Sequence, residues 1–475
     1  MPSLDEMDEP APISERRGSR SLLIDSLVVT SSSLSPPPTD IVCRLYKRRW
    51  YLLAVFSFSS FVQGYLYNNY GPIFASMQKA FGWTEGTLSV AIFSVLIVGA
   101  VLQVPSVTLL ERYGLKTTVV WMSVLLVLST AVRCVPVTGE LLTTLVVIGC
   151  ILTSIGGAVT YILPPYISAR WFGPTERRFV TAISLGSNSL GTAAAFVIGP
   201  KFFEMPEHST IHEVQQRYYD YCYWQFAVTF IILIVTIATF PREAKLPPSV
   251  SAVIARTDMK EALPALLRSR GFWLVTICWT LTNGTFSGWL PVLSVDLVQV
   301  GIDQDRAGPI GFVVSVIGGA LGVGLGLMAD KCGHLKAVLI ALCVLAIEGS
   351  VWLLLLTRGV LPMSLAQMYW ATVLLGGATS AITPIAFELV ADISFPVDEA
   401  AAVGVSATLG SIYCSIFVLG LKLPIGTWWM DWFLVIACVA ALPFALGVTE
   451  SLHRSQVDQT EQDNDSNCDI IHRIR

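Results

Sequence analysis

Leu110-Glu111-Arg112-Tyr113-Gly114-Leu115-Lys116 is a short charged stretch between two long apolar runs, and its pattern returns at Asp330-Lys331-Cys332-Gly333-His334-Leu335-Lys336. An acid, a base and a glycine recur at one offset of 219 residues: Glu111 with Asp330, Arg112 with Lys331, Gly114 with Gly333. Glycine at such a point permits a tight turn. Gly156-Gly157-Ala158 with Pro164 is echoed at an offset of 220 by Gly376-Gly377-Ala378 with Pro384. Agreement at several separate places implies two matching halves.

The runs around these stretches set the environment. Of 475 residues, 53% are apolar and only 13% charged, with a mean hydropathy of +0.65. That excess cannot be hidden in a water-soluble core and belongs in a bilayer. Twelve segments of roughly 18–25 residues are apolar enough to cross a ~30 Å hydrocarbon layer as helices, which satisfy their own backbone hydrogen bonds. They are expected near 50–75, 87–109, 117–136, 141–168, 178–200, 222–240, 271–296, 308–329, 335–357, 364–391, 399–421 and 428–448. Lys47-Arg48-Arg49, Arg112, Lys116, Arg170, Arg177, Arg178, the bases between 241 and 270, Lys331 and Lys336 then share one side. The opposite loops carry single bases such as Lys79, Arg133, Arg306 and Arg358. This asymmetry places the basic side and both termini in the cytoplasm.

The expected organisation is a disordered tail over 1–46, rich in Ser, Pro and Arg and without a signal-peptide pattern. A six-helix bundle over 47–240, a cytoplasmic linker over 241–270, a second six-helix bundle over 271–450 and a tail over 451–475 follow. Ser21-Leu22-Leu23-Ile24 loosely resembles a dileucine sorting signal but lacks an acid four residues before the leucine pair. An all-α membrane protein of 6+6 helices in parallel repeats is the pattern of major facilitator transporters. The two charged hairpins resemble that superfamily's signature, with Val107 and Glu111 departing from it in the first copy. Glu111, Arg112, Gly114, Asp330, Lys331 and Gly333 are therefore expected to gate the cytoplasmic rim.

Polar side chains inside the spans mark the solute path, because they are costly in lipid unless they face protein or a wet cavity. In the first span, Gln63, Tyr67 and Tyr70 fall on one helical stripe beside Asn68 and Asn69, with Gly71-Pro72 allowing the helix end to bend. The fifth span offers Ser187, Asn188 and Ser189. The seventh offers Thr282-Asn283-Gly284-Thr285-Phe286-Ser287-Gly288-Trp289, interrupted by glycine, with Trp289 placed to stack on a flat or cationic solute. Glu388, near the cytoplasmic end of the tenth span and followed by Asp392, Asp398 and Glu399, fits a gate or a proton site; Glu348 in the ninth reads as a group binding one helix to another. No Lys or Arg is expected at mid-span, which argues against phosphorylated or dianionic substrates.

Ten cysteines show no CxxC pair and no metal-ligand spacing; Cys134 and Cys222 fall near the non-cytoplasmic ends and could pair if neighbours. No cofactor or metal is expected. HExxH, the nucleophile elbow and the phosphate-binding glycine loop are absent, so the reading is not an enzyme. The expected partners are a small organic solute, protons and the bilayer, with no nucleic acid, and the protein is expected to be a monomer. A solute receptor without flux is the competing class.

Trp171-Phe172-Gly173-Pro174-Thr175-Glu176-Arg177, Phe61-Val62-Gln63-Gly64, Gly71-Pro72-Ile73, Arg133-Cys134-Val135-Pro136, Leu246-Pro247-Pro248-Ser249-Val250, Gly288-Trp289 and Phe387-Glu388-Leu389 together resemble solute carrier family 49, the relatives of the feline leukemia virus subgroup C receptor. The resemblance covers residues 47 to 450. It implies a lysosomal exporter of pyridoxine driven by the proton gradient, with choline, ethanolamine or heme handled by other branches. It also implies that Tyr67 keeps the aromatic of the choline-type relatives, while Ser189 and Ser411 replace their glutamines and Asn188 remains. A ring-shaped neutral or weakly cationic solute suits that altered cage better than choline.

Overall fold

A computed structural model gives the fold and describes residues 45–203, 210–241, 248, 259–298, 300–302, 304–332, 335–395, 397–420 and 427–449. The N-terminal tail with its leucine pair, most of the expected linker and the C-terminal tail lie outside the described residues. So do Gly333 and the side chains of Asp330 and Lys331, whose backbone is helical. The described residues belong to one compact unit, Cys43–Arg475, and no strand occurs among them.

The N-terminal helices are α1 (Arg48–Tyr67), α2 (Phe74–Phe81), α3 (Glu85–Arg133), α4 (Glu140–Gly157), α5 (Leu163–Trp171), α6 (Arg177–Phe202) and α7 (Ile211–Thr239). The C-terminal helices are α8 (Met259–Arg268), α9 (Arg270–Trp279), α10 (Thr285–Trp289), α11 (Leu293–Val298), α12 (Gln304–Cys332), α13 (Leu335–Thr357), α14 (Leu365–Ile393), α15 (Glu399–Leu419) and α16 (Trp428–Gly447). Local chemistry sets many of the starts. Thr84 and Thr210 open α3 and α7 with reciprocal capping boxes to Thr87 and Glu213, and Ser269, Ser364 and Asp398 cap α9, α14 and α15. Each cap satisfies amides that would otherwise lack partners at a helix start.

Nine helices among the described residues are long and apolar enough to cross a bilayer. One of them, α3, has 49 residues, more than twice what a ~30 Å layer needs. Its single non-helical residue is Gly114, at φ 76° and ψ 170°. Two spans meet at that glycine, in the left-handed region that a side chain disfavours. The expected fourth span is split between α4 and α5, with Pro164 near the start of the second piece; Pro384, its counterpart, lies inside the unbroken α14. The paired glycines meet different neighbours in the two halves: a side chain on Gly157 would strike Gln63 of α1, and one on its counterpart Gly377 would meet Leu321 of α12.

Among the N-terminal helices α1 packs on α6, and α3 on α4 and α7; among the C-terminal ones α13 packs on α14 and α16, and α12 on α14. The two sets meet chiefly through α6 against α12 and α3 against α15. The end of the bundle where α1 begins and α7 stops is here termed the linker end.

Two expectations fail. Arg133 is not a loop base: it is 1% exposed, donates from Nη2 to Thr153 Oγ1 at 3.0 Å, and lies 5.3 Å from the Tyr70 ring, an aromatic face that partly offsets its desolvation. Glu348 is exposed on the outer face of α13, with no hydrogen bond or ion pair among the described residues, so it binds no neighbouring helix there. Cys134 and Cys222 are free thiols.

Candidate functional site

Close backbone approach builds the site first. A Cβ on Gly64 would lie 2.3 Å from the Asn188 carbonyl oxygen, and one on Gly191 would lie 1.8 Å from that of Phe61. Only glycine lets α1 and α6 touch in this way, as small residues do generally between membrane helices. That contact brings the Asn188 side chain to Ser60 O at 2.9 Å and to Gln63 Oε1 at 2.8 Å, donating to both. One turn on, Asn68 Nδ2 donates to Thr192 Oγ1 at 3.0 Å. These amides are held by protein and face a cavity of about 140 Å³ bounded by both sets of helices.

Gln63, Tyr67, Asn68, Asn188, Ser189, Asn283 and Ser411 all line this cavity. Trp289 does not. It is fully buried and donates its indole N–H to Asp296 Oδ2 at 2.8 Å. In the seventh span α9 passes into a π segment at Thr280–Gly284 before α10, and a 3-10 turn at Leu290–Val292 follows. Phe286 and Ser287, three and four residues after Asn283, share its helical face and line the cavity, whereas Trp289, six residues on, falls about 240° round the helix at 3.6 residues per turn. Tyr70 also leaves the stripe, because α1 ends at Tyr67; it turns to Arg133 and to Trp83, 5.6 Å away ring to ring.

The cavity holds groups that pattern reading missed. Gln103 of α3 donates to Ser411 Oγ of α15 at 3.4 Å, while its own Oε1 is buried without a partner. A buried acceptor left open at a cavity wall is a place for a donor on a bound molecule. Its only sequence signal is a lone amide in the apolar run before Pro105. Tyr161, on the turn between α4 and α5, adds a second phenol to Tyr67. No acid or base is among the lining residues.

Contacts between the two sets of helices cross the cavity at both ends. Toward the linker end, Tyr161 meets Phe387 edge-on at 5.9 Å, and Trp279 at 6.5 Å. Beyond this aromatic layer Thr181 Oγ1 donates to Glu388 Oε1 at 2.7 Å, and Arg170 pairs with Asp398 at 3.8 Å. At the opposite end, a Cβ on Gly71 would lie 2.1 Å from the Pro291 carbonyl oxygen, and Ser294 Oγ donates to Gly71 O at 3.4 Å. The two sets of helices thus touch on both sides of the cavity, through aromatic and ionic contacts on one side and through backbone on the other. Glu111 and Arg112 are exposed beside Gly114 at the linker end.

Removing the Asn188 amide leaves the Ser60 carbonyl and Gln63 Oε1 without their donor, at about 1–3 kcal/mol. Asn188→Ala is expected to raise the apparent KM for the transported solute about tenfold with the surface amount unchanged, measured by initial uptake rates alongside surface biotinylation. An unchanged KM would remove Asn188 from the solute site.

The profile of the Major Facilitator Superfamily matches residues 56–418. The Xenopus laevis protein "Solute carrier family 49 member 4 homolog" is 30% identical over 434 residues, covering 87% of this chain and 94% of its own length. The human choline/ethanolamine transporter FLVCR2 is 23% identical over 403 residues, covering 81% and 72% of the two chains. Among solved structures, the partially occluded inward-open xylose transporter XylE of E. coli superposes with a TM-score of 0.65 at 15% identity, covering 85% of this chain and 98% of that one.

Proposed function

The chain belongs to the major facilitator superfamily and within it to solute carrier family 49, and from that premise we propose that it exports pyridoxine from lysosomes by proton-coupled alternating access. The observation that carries the proposal is the charge-free cavity shared by both sets of helices and lined by amides, hydroxyls and phenols. A neutral aromatic ring with several hydroxyls can stack on Tyr67 or Tyr161 and exchange hydrogen bonds with Gln63, Asn68, Asn188, Gln103, Asn283, Ser189 and Ser411. A fixed charge in the cavity would instead favour an ionic solute. At about 140 Å³ the cavity is below the ~300–1,000 Å³ of drug-sized sites, which speaks against heme.

In this reading the two halves are six-helix bundles giving twelve spans, with the linker end and both termini in the cytoplasm. Glu111, Arg112 and Gly114, with Asp330, Lys331 and Gly333, form the cytoplasmic gate. Glu388 exchanges the proton on that side and engages Thr181 when the gate is shut. The bend at the π segment and 3-10 turn is where α10 and α11 swing during the cycle. Choline or ethanolamine transport is the second reading, favoured by the similarity to FLVCR2 and by the phenol faces, which suit a quaternary amine.

The test is uptake of labelled pyridoxine and labelled choline by cells displaying the protein at the surface, at acid and neutral external pH. Saturable pyridoxine uptake stimulated by external acid is the expected result. Robust choline uptake without saturable pyridoxine uptake would overturn the substrate assignment.

A further inference from the structure

Away from the cavity, and opposite the linker end, two acids of the C-terminal helices are buried against each other. Asp296 of α11 is 5% exposed and Asp431 of α16 is 3% exposed, and their carboxyls are within hydrogen-bonding reach. Each has a donor on one oxygen, and the Thr427 hydroxyl also faces Asp296. Trp289 Nε1 donates to Asp296 Oδ2 at 2.8 Å, and Thr357 Oγ1 donates to Asp431 Oδ2 at 2.7 Å. Arg358 Nη2 lies 3.6 Å from the same Asp431 oxygen and also donates to Trp428 O. Asp431 Oδ1 is buried with no donor. Arg358 is the charged group that acts on both carboxyls.

With both carboxyls ionised, two negative charges would share a dry site with one guanidinium. Two carboxyls in such a site hold one proton between them far more cheaply than none. The unpartnered Asp431 Oδ1 is where that proton is missing a place in the hydrogen-bond pattern. A metal cation suits the site less well: it would need several oxygens around it and would sit against Arg358.

We propose that Asp296 and Asp431 form a shared-proton dyad that latches the outer piece of the seventh span onto α16. The latch acts on the gate next to it. The Trp289 to Asp296 bond bridges the 3-10 turn at Leu290–Val292, and that same piece of chain carries Pro291 and Ser294, which close on Gly71. With the proton present, α11 is docked and this end is shut. When the proton leaves, the carboxylates repel, α11 swings out and the gate opens. Acid on this side therefore favours closure behind a loaded solute. The consequence for transport rests on the transporter reading; the shared proton does not.

The experiment separates the two. Infrared difference spectra of the purified protein in nanodiscs, titrated between acid and alkaline pH, are expected to show a protonated-carboxyl band that titrates in the wild type and disappears in both Asp296→Asn and Asp431→Asn. A band unchanged in both variants, or removed by sodium at constant pH, would overturn the proposal. In proteoliposomes, Asp431→Asn is expected to lose gradient-driven accumulation of labelled pyridoxine more than tenfold while retaining counterflow exchange within about threefold; full retention of gradient-driven accumulation would overturn the latch. If the wild type carries no tested solute but its band behaves as expected, the dyad stands and the transport reading falls.

Discussion

Gly71→Val is expected to abolish net transport, lowering uptake by more than tenfold while leaving folding and membrane insertion intact. The side chain would have to occupy space whose nearest atom, the Pro291 carbonyl oxygen, is 2.1 Å from an ideal Cβ. Gly71 lies outside any helix, between α1 and α2, so each set of helices can form without that contact. Backbone on backbone leaves nothing flexible to yield. The carrier would then be unable to shut the end opposite the linker, and a cysteine placed at Ser294 should become reactive to a membrane-impermeant thiol reagent. Uptake within twofold of wild type, or a Ser294→Cys thiol protected equally in both backgrounds, would show that this contact is not a gate.

Glu388→Gln has the second large expected effect: accumulation driven by a pH gradient should disappear, while exchange at equal pH persists. The amide matches the carboxyl in shape and can still accept from Thr181 Oγ1, now at 2.7 Å. The contact with Thr181 is thereby conserved while the capacity to take up a proton is lost. The measurement is accumulation of labelled pyridoxine against its gradient compared with counterflow in the same vesicles. Equal loss of both would reduce Glu388 to a seal, and unchanged pH dependence would leave proton movement to other carboxyls.

Much of the fold was legible because bilayers punish ambiguity. A backbone in hydrocarbon must be helical, so apolar run length located the nine spanning helices among the described residues, and the glycine between Glu111 and Lys116 marked the break in the longest of them. The site was partly legible for the same reason: amides at Gln63, Asn68 and Asn188 are too costly in lipid to be there without a cavity or a partner, and they proved to have both. What escaped was the direction in which single side chains face. Trp289 was expected in the cavity, but six residues after Asn283 it lies about 240° round the helix from the cavity face and meets Asp296. Tyr70 fell out of register once α1 stopped at Tyr67. Arg133 lies next to a loop in the sequence and was read as a loop base; only the packing of α3 on α4 shows that it is enclosed. Gln103 gave a single amide as its signal, and its pairing with Ser411, 308 residues away, is invisible to any local pattern.

The charge-free cavity between the two sets of helices supports the proposal that this chain moves a small uncharged or weakly cationic organic solute across the membrane and does not merely hold it. The most direct measurement uses purified protein in proteoliposomes with an imposed pH gradient and a panel of labelled vitamins and amines, pyridoxine and choline among them. The account predicts saturable accumulation of pyridoxine that collapses when a proton ionophore is added. Saturable binding of a solute with no accumulation of any member of the panel would contradict it, and would make the protein a receptor built on a carrier's fold.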